Sequence, residues 1–129
     1  MIPPSEAQRL ELAASDTAPL RARRFAERIA SQMTAASRAN LLLVVTELVT
    51  NSVCHGPDRP ITVELEVLGA EHVRGEIIDD GAPTSAQRIT DTGLETPGGL
   101  GLGIVDQLSR RWGVREGSTD VWFELGPGR

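Results

Sequence analysis

Residues 41–52 read LLLVVTELVTNS, an apolar stretch that nonetheless carries Glu47 and Asn51. The two polar residues are four positions apart, so they share one face of a helix. Residues 41–45 are apolar on every side, which predicts a helix buried inside a layered domain. An Asn oxygen is a hard ligand suited to Mg²⁺, and a Glu one turn away can take a proton. A solvated Glu–Asn face remains the alternative interpretation of this spacing.

A second polar motif, Asp79-Asp80-Gly81, follows the apolar pair Ile77-Ile78. Asp-Gly is typical of hairpin turns. The residues at 82–85 do not alternate as a partner strand would, however. An acid fixed at the end of a strand can accept a hydrogen bond from a purine amino group. A turn and a base-binding site are both compatible with this motif.

The third motif is a glycine-rich segment at 98–103 that runs into an apolar helix. Bare backbone N–H groups at a helix N-terminus bind phosphate. The spacing is not that of a Rossmann fingerprint, because Ile104 stands where the third glycine would be, and a simple flexible loop is the alternative. The preceding loop, 81–97, has no period. Such a long loop is uncommon in a small domain, which predicts a lid.

Hydrophobic periodicity and turn residues predict the remaining elements. Residues 1–7 are expected to form a flexible N-terminal tail and residues 8–129 a single domain. The predicted elements are a strand over 9–13, a helix over 17–33 with Asp16 as N-cap, a helix over 38–54 capped by Thr34 or Ser37, strands over 61–68 and 73–78, a helix over 101–108, and strands over 112–115 and 121–125.

The composition excludes several classes of protein. All 13 basic residues are Arg, and without Lys the chain has neither a Walker P-loop nor Schiff-base chemistry. The net charge of −5 argues against nucleic acid as a direct partner, and the basic run 21–24 is interpreted as a solvated helix face. One cysteine, Cys54, no apolar run of about 18 residues and no signal-like N-terminus predict a cytoplasmic protein without a membrane partner.

Taken in order, the three motifs resemble those of the GHKL-type nucleotide-binding domain, which histidine sensor kinases and gyrase-type ATPases share. Residues 47–56 resemble its N-box, residues 79–83 its first glycine box and residues 99–105 its second. More narrowly, the chain resembles the stand-alone branch that includes bacterial anti-sigma-factor serine/threonine kinases, whose usual final strand is similar to residues 122–125. The resemblance extends over residues 9–125.

The resemblance implies a Bergerat-type fold, an α/β two-layer sandwich in which a mixed, mainly antiparallel sheet carries three helices on one face. It implies ATP and Mg²⁺ as cofactors, with Glu47 as the catalytic base, Asn51 as the metal ligand and Asp79 as the acceptor of the adenine amino group. The residues that it places around the nucleotide are Asn51, Asp79, Gly81, Gly99, Leu100, Gly101, Leu102 and Gly103.

The implied function is a serine/threonine kinase that phosphorylates a small anti-anti-sigma-type protein, with a sigma factor as a further partner and a homodimer left open. A non-catalytic ATP-dependent protein-binding switch and a simple ATPase are the alternatives. Two positions depart from the family pattern. Cys54 stands where relatives mostly carry a basic residue, and Thr119-Asp120 replaces a common Lys-Thr pair. The second departure leaves open whether the last hairpin contacts the terminal phosphate.

Overall fold

The computed structural model describes residues 6–81 and 102–127, which form a five-stranded sheet and three helices. In chain order the elements are β1 (Gln8–Leu12), α1 (Ala18–Ile29), α2 (Ala35–His55), β2 (Ile61–Gly69), β3 (His72–Ile78), α3 (Leu102–Leu108), β4 (Arg111–Val114) and β5 (Val121–Leu125). The strand order is β1-β2-β3-β5-β4, and each pair of neighbours is antiparallel. The predicted α/β sandwich is confirmed, with a sheet that is antiparallel throughout its described strands.

The core lies between the helices and one face of the sheet. Alternate residues of β2 are buried while those between them are only partly covered, the period of two expected of a strand with one packed face. Aliphatic side chains of α2 meet this face, and the fully buried ones are Leu41, Val44, Val45 and Val49. Phe123 adds one large ring, which packs where a side chain on Gly75 would stand. Because β3 has only a glycine at this point, β5 can lie close beside it.

The boundaries of α1 differ from the prediction. Asp16 is not its N-cap; Thr17 holds that position and makes no side-chain capping bond. The Ala18 N–H is already bound by a backbone carbonyl, and Pro19 has no N–H. A capping side chain therefore has few donors left to satisfy. The helix also ends at Ile29, short of the predicted residue 33.

The start of α2 resolves the two capping alternatives in favour of Thr34. Its Oγ1 accepts the Ser37 N–H at 3.2 Å, as expected of a helix N-cap. The Thr34 N–H itself donates to the Ala70 carbonyl at 2.9 Å, which ties the connection between the helices to the turn between β2 and β3. The chain is thus fixed in direction where α2 enters the core.

Several predictions fall outside the described residues. These are most of the predicted tail, the predicted lid apart from Gly81, and the nucleotide-site residues Gly99, Leu100 and Gly101. Within the ranges 6–81 and 102–127, none of the helices combines the length and the apolar character needed to cross a membrane.

Candidate functional site

The polar side chains of α2 fall into two groups that differ in their partners. Thr46 and Thr50 donate back to carbonyls of their own helix, each at 2.7 Å. Glu47 is half-buried and makes no hydrogen bond or ion pair in the part of the chain that the structure describes. Asn51 is half-buried one turn later on the same face. The carboxylate of Glu47 is therefore free to act on a ligand.

Asp79 is the most enclosed acid at the end of β3, with only 3% of its surface exposed. Its Oδ2 accepts the Ser52 hydroxyl at 3.0 Å. Its Oδ1 accepts the Gly81 N–H at 3.1 Å and the Thr119 hydroxyl. These donors are all neutral, and no cation pairs with Asp79 among the described residues. A carboxylate has about four acceptor positions, so one that accepts three hydrogen bonds can still accept a further one.

Close packing around Asp79 explains two glycines of the motifs. A Cβ on Gly56 would lie 2.6 Å from the Ser52 carbonyl oxygen and 3.0 Å from Asp79 Oδ2. A Cβ on Gly81 would collide with the Thr119 hydroxyl. Only glycine fits at either position, so the Asp-Gly pair here closes a polar pocket rather than a hairpin.

The last hairpin contributes two site residues that the sequence did not reveal as such. Thr119 binds the Asp79 carboxylate, and its N–H donates to the Gly81 carbonyl at 3.2 Å. Asp120 Oδ1 accepts the N–H of Asp79 at 3.0 Å and that of Asp80 at 3.2 Å. No spacing in the sequence could have identified them, because only the pairing of β5 with β3 brings these residues to Asp79.

The charges at this end of the sheet favour a ligand that donates hydrogen bonds. Burial raises the pKa of Asp120, and the nearby carboxylates of Asp79 and Asp80 add to this, while the two backbone N–H groups oppose it. Arg59 donates to the Asp80 backbone carbonyl at 3.4 Å and makes no ion pair with these carboxylates among the described residues. Three clustered carboxylates repel phosphate. An amino group suits this end, and phosphates belong elsewhere in the site.

Helix α2 links the acidic end of the site to its remaining predicted residues. Ser52, which binds Asp79, directly follows Asn51, the metal ligand predicted from the sequence, so one turn of α2 carries both residues. Leu102 is buried in the core at the start of α3, and Gly103 is exposed with open space around its Cα. The structure thus places Leu102 as a packing residue, whereas Gly103 is accessible to a ligand.

The donor set fits Mg²⁺ held together with a nucleotide. In the described ranges no group of three or more His, Cys, Asp or Glu side chains could hold a metal ion by itself. Mg²⁺ commonly binds through one or two protein oxygens, phosphate oxygens and waters. Asn51 can supply one such oxygen on the face that also carries Glu47.

Comparison with known proteins agrees with this geometry. Residues 4–125 match the family described as the histidine kinase-like ATPase domain. The match spans the apolar helix, the acid at the end of β3 and the glycine-rich segment before α3. No curated protein matches the chain at a significant level.

Proposed function

This chain belongs to the histidine kinase-like ATPase family, and from that premise we propose that it is a serine/threonine kinase of the anti-sigma-factor type. Membership supports ATP binding and ATP-dependent kinase or ATPase chemistry in general. The observation that carries the proposal is the half-buried Glu47 carboxylate on α2, which has no partner among the described residues and lies one turn before Asn51. A general base assists phosphate transfer or ATP hydrolysis but is not needed for ATP binding alone, so this acid favours an enzyme over a non-catalytic switch.

Adenine recognition rests on Asp79. Its carboxylate can accept the 6-amino group of adenine, whereas guanine presents a carbonyl oxygen at that position. Two acceptors would then face each other in a buried pocket, which costs a few kcal/mol, or roughly 10²-fold in affinity. The proposal therefore includes selectivity for ATP over GTP.

Phosphate transfer rests on residues of α2 and the glycine-rich segment. Asn51 would hold Mg²⁺, which neutralises phosphate charge when bound. Backbone N–H groups at 98–103 would bind phosphate oxygens. Glu47 would take the proton from a serine or threonine hydroxyl of a partner protein as that oxygen attacks the γ-phosphorus, the bond from phosphorus to the β–γ bridging oxygen breaks, and ADP leaves. Positioning and charge neutralisation supply most of the catalysis in such transfers, with a base adding to them.

A patch of unpaired arginines on α1 supports a protein partner with an acidic surface. Arg21, Arg24 and Arg28 are exposed and lie three or four positions apart, so they form one stripe. None of them forms an ion pair in the described chain. Leu20, at the start of the stripe, is 52% exposed.

The arginines of the sheet behave differently. Arg9 and Arg74 each pair with a glutamate of the neighbouring strand β2, and Arg115, just after β4, pairs with Glu76 of β3. Like charges three or four apart on a helix destabilise it by about 0.2–0.5 kcal/mol per pair. The arginine stripe keeps this unfavourable repulsion although the protein as a whole has a net charge of −5. A positive stripe of this kind can bind an acidic protein surface. We propose the anti-anti-sigma-type protein as the first such partner and a sigma factor as a second.

The proposal is tested by incubating the protein with a small anti-anti-sigma-type protein and ATP or GTP labelled on the γ-phosphate. We expect label on a serine or threonine of the partner from ATP, little from GTP, and loss of transfer when Arg21 and Arg24 are both changed to Glu. ATP-dependent capture of the partner without labelling would support the switch instead. ATP hydrolysis at a rate that the partner does not change, without labelling of the partner, would support a simple ATPase.

A further inference from the structure

One side chain, that of Asp120, binds two successive backbone N–H groups of the turn Asp79-Asp80-Gly81. We propose that Asp120 is a positioning residue that sets the purine selectivity of the Asp79 pocket. This inference rests on the proposed function, because it assumes that Asp79 binds the adenine amino group. It concerns a residue that replaces part of the common Lys-Thr pair of relatives.

A single oxygen of Asp120 binds two successive peptide groups. Oδ1 accepts the N–H groups of Asp79 and Asp80 at 3.0 and 3.2 Å. Two adjacent N–H groups converging on one anionic oxygen form a small anion-binding nest. The carboxylate thereby fixes the direction of both peptide planes from which the Asp79 side chain projects.

The backbone held in this way has an unusual conformation. Asp80 has a φ of 55°, the one left-handed residue other than glycine in the described chain. Such a conformation is unfavourable for an L-residue, although Asp tolerates it better than most. The bond from the Asp80 N–H to Asp120 offsets this cost. Without it, the turn would relax toward ordinary backbone angles.

Asp120 is itself held rigidly in the connection between β4 and β5. Its N–H donates to the Ser118 hydroxyl at 3.1 Å, and its carbonyl accepts the Arg115 N–H at 2.9 Å. The pairing of β3 with β5 ends at Ile77 and Val121. The Asp120 carboxylate therefore continues the link between these strands past their last residue pair, where the site begins.

Loss of this brace should affect the base more than the phosphates. The backbone that carries Asp79 would lose its brace, and its carboxylate would be held only by Ser52, Gly81 and Thr119. Its bond to an adenine amino group would therefore weaken. Asn51 and Glu47 lie on α2, and Asp120 makes no hydrogen bond to that helix. A brace that merely stabilised the fold would lower affinity for all nucleotides alike. A positioning residue would instead lower the ratio of ATP affinity to GTP affinity.

Three substitutions of Asp120 test separately its hydrogen-bond acceptor, its charge and the position of its oxygen. Asp120→Asn keeps an oxygen at the same place and should keep the selectivity. Asp120→Ala removes the acceptor. Asp120→Glu keeps the charge but moves the oxygen by one methylene, so it cannot preserve both distances. Asp16→Ala serves as the control, since it removes an exposed acid with no described contact.

The experiment is calorimetric titration of each folded variant with ATP and with GTP in the presence of Mg²⁺. We expect Asp120→Ala and Asp120→Glu to lower the affinity ratio by about tenfold, the effect of weakening one hydrogen bond to a charged group. Asp120→Asn and Asp16→Ala should stay within about threefold of wild type, a difference below 1 kcal/mol.

The outcomes distinguish this inference from the proposed function. A wild type that prefers ATP, together with an unchanged ratio in Asp120→Glu, would overturn the positioning role alone. A collapsed ratio in Asp120→Asn would also overturn it, because the acceptor is still present. A wild type that binds ATP and GTP equally would overturn the assignment of Asp79 itself, on which the inference depends. If Asp120→Ala fails to fold, the Asn and Glu variants decide the question.

Discussion

Two buried carboxylates, Asp79 just after the end of β3 and Glu124 on the sheet face away from the helices (the open face), have nearly equal burial but different surroundings. Asp79 is 3% exposed and Glu124 is 4% exposed. Asp79 is bound by two hydroxyls and a backbone N–H. Glu124 is bound by Arg111 at 2.8 Å and by His72, with Arg110 at 3.8 Å.

The difference supports a structural role for Glu124 and agrees with the proposed ligand-binding role of Asp79. A buried charge is costly unless it is paired, and cations on Glu124 offset that cost within the protein. The hydrogen bond from His72, followed by that from Arg111, lowers the pKa of Glu124 against the effect of burial. Asp79 has no cationic partner among the described residues. A hydrogen-bond donor on a bound ligand can supply a further partner for its carboxylate.

The largest expected effect is on the rate of phosphate transfer, and it is measured by substituting one glutamate from each of the two regions. Glu47→Gln should reduce phosphate transfer by roughly 10²- to 10⁴-fold, because it removes a general base, while ATP affinity stays nearly constant. Glu76→Gln, which alters an acid paired with Arg115 on the open face, should leave the rate unchanged. Single-turnover transfer to the partner protein is the measurement. Equal rates in wild type and Glu47→Gln would rule out Glu47 as the base.

The next largest effects are on ATP affinity and on stability, and they are measured by substituting the two buried acids themselves. Asp79→Asn should weaken ATP binding by roughly 10²-fold, because the amide group disturbs the acceptor for adenine. Glu124→Gln should leave ATP affinity unchanged but lower the free energy of unfolding by about 1–3 kcal/mol, since the cations around it lose their partner. Calorimetry and urea unfolding of both variants give the comparison. If Glu124→Gln weakens ATP binding as much as Asp79→Asn does, the two regions are not functionally distinct.

A smaller effect concerns the metal. Asn51→Ala should remove most of the gain in ATP affinity that Mg²⁺ provides, about tenfold, and should change binding in EDTA much less. Thr50→Ala is the matched control, because that hydroxyl bonds only to its own helix. The ratio of ATP affinities with Mg²⁺ and with EDTA is the quantity to measure. The same ratio in wild type and Asn51→Ala would show that Asn51 is not a ligand.

The smallest expected effect is in the pH dependence of stability. Ionisation of Glu124 should increase the free energy of unfolding, whereas ionisation of Asp120 should decrease it. Because the pKa of Glu124 is lowered, its stabilisation is present above the ordinary glutamate pKa of 4.5 and is lost as the pH falls toward the folded-state value. Because the pKa of Asp120 is raised, its ionisation costs stability, and this cost develops as the pH rises above the ordinary aspartate value of 3.8 through the folded-state value.

Urea unfolding between about pH 3 and 7 measures both signs. Glu124→Gln should flatten the loss of stability toward acid relative to wild type. Asp120→Asn should gain stability relative to wild type as the pH rises. A gain for Glu124→Gln at neutral pH would contradict the structural role of that acid.

Particular residues show how far sequence reasoning reached. The apolar run at 41–45 correctly predicted a buried helix, and Thr34 was one of its two proposed caps. Asp16 was wrong as a cap, because a backbone carbonyl and a proline had already removed the donors that it would serve. The catalytic role of Glu47 stays a prediction, although its lack of partners among the described residues agrees with it.

The sequence alone determined the local parts of this protein: the helix that carries Glu47 and Asn51, the strand that ends at Asp79, and the family to which their order belongs. These depend on periodicity and spacing, which are properties of short segments. The tertiary structure decided which neutral groups surround Asp79 and that Asp120 braces its turn. Thr119 lies forty residues from Asp79 along the chain, and only the pairing of β5 with β3 brings them together. Spacing along the chain carries no trace of that pairing, because the order of strands in a sheet is set by packing of the whole domain.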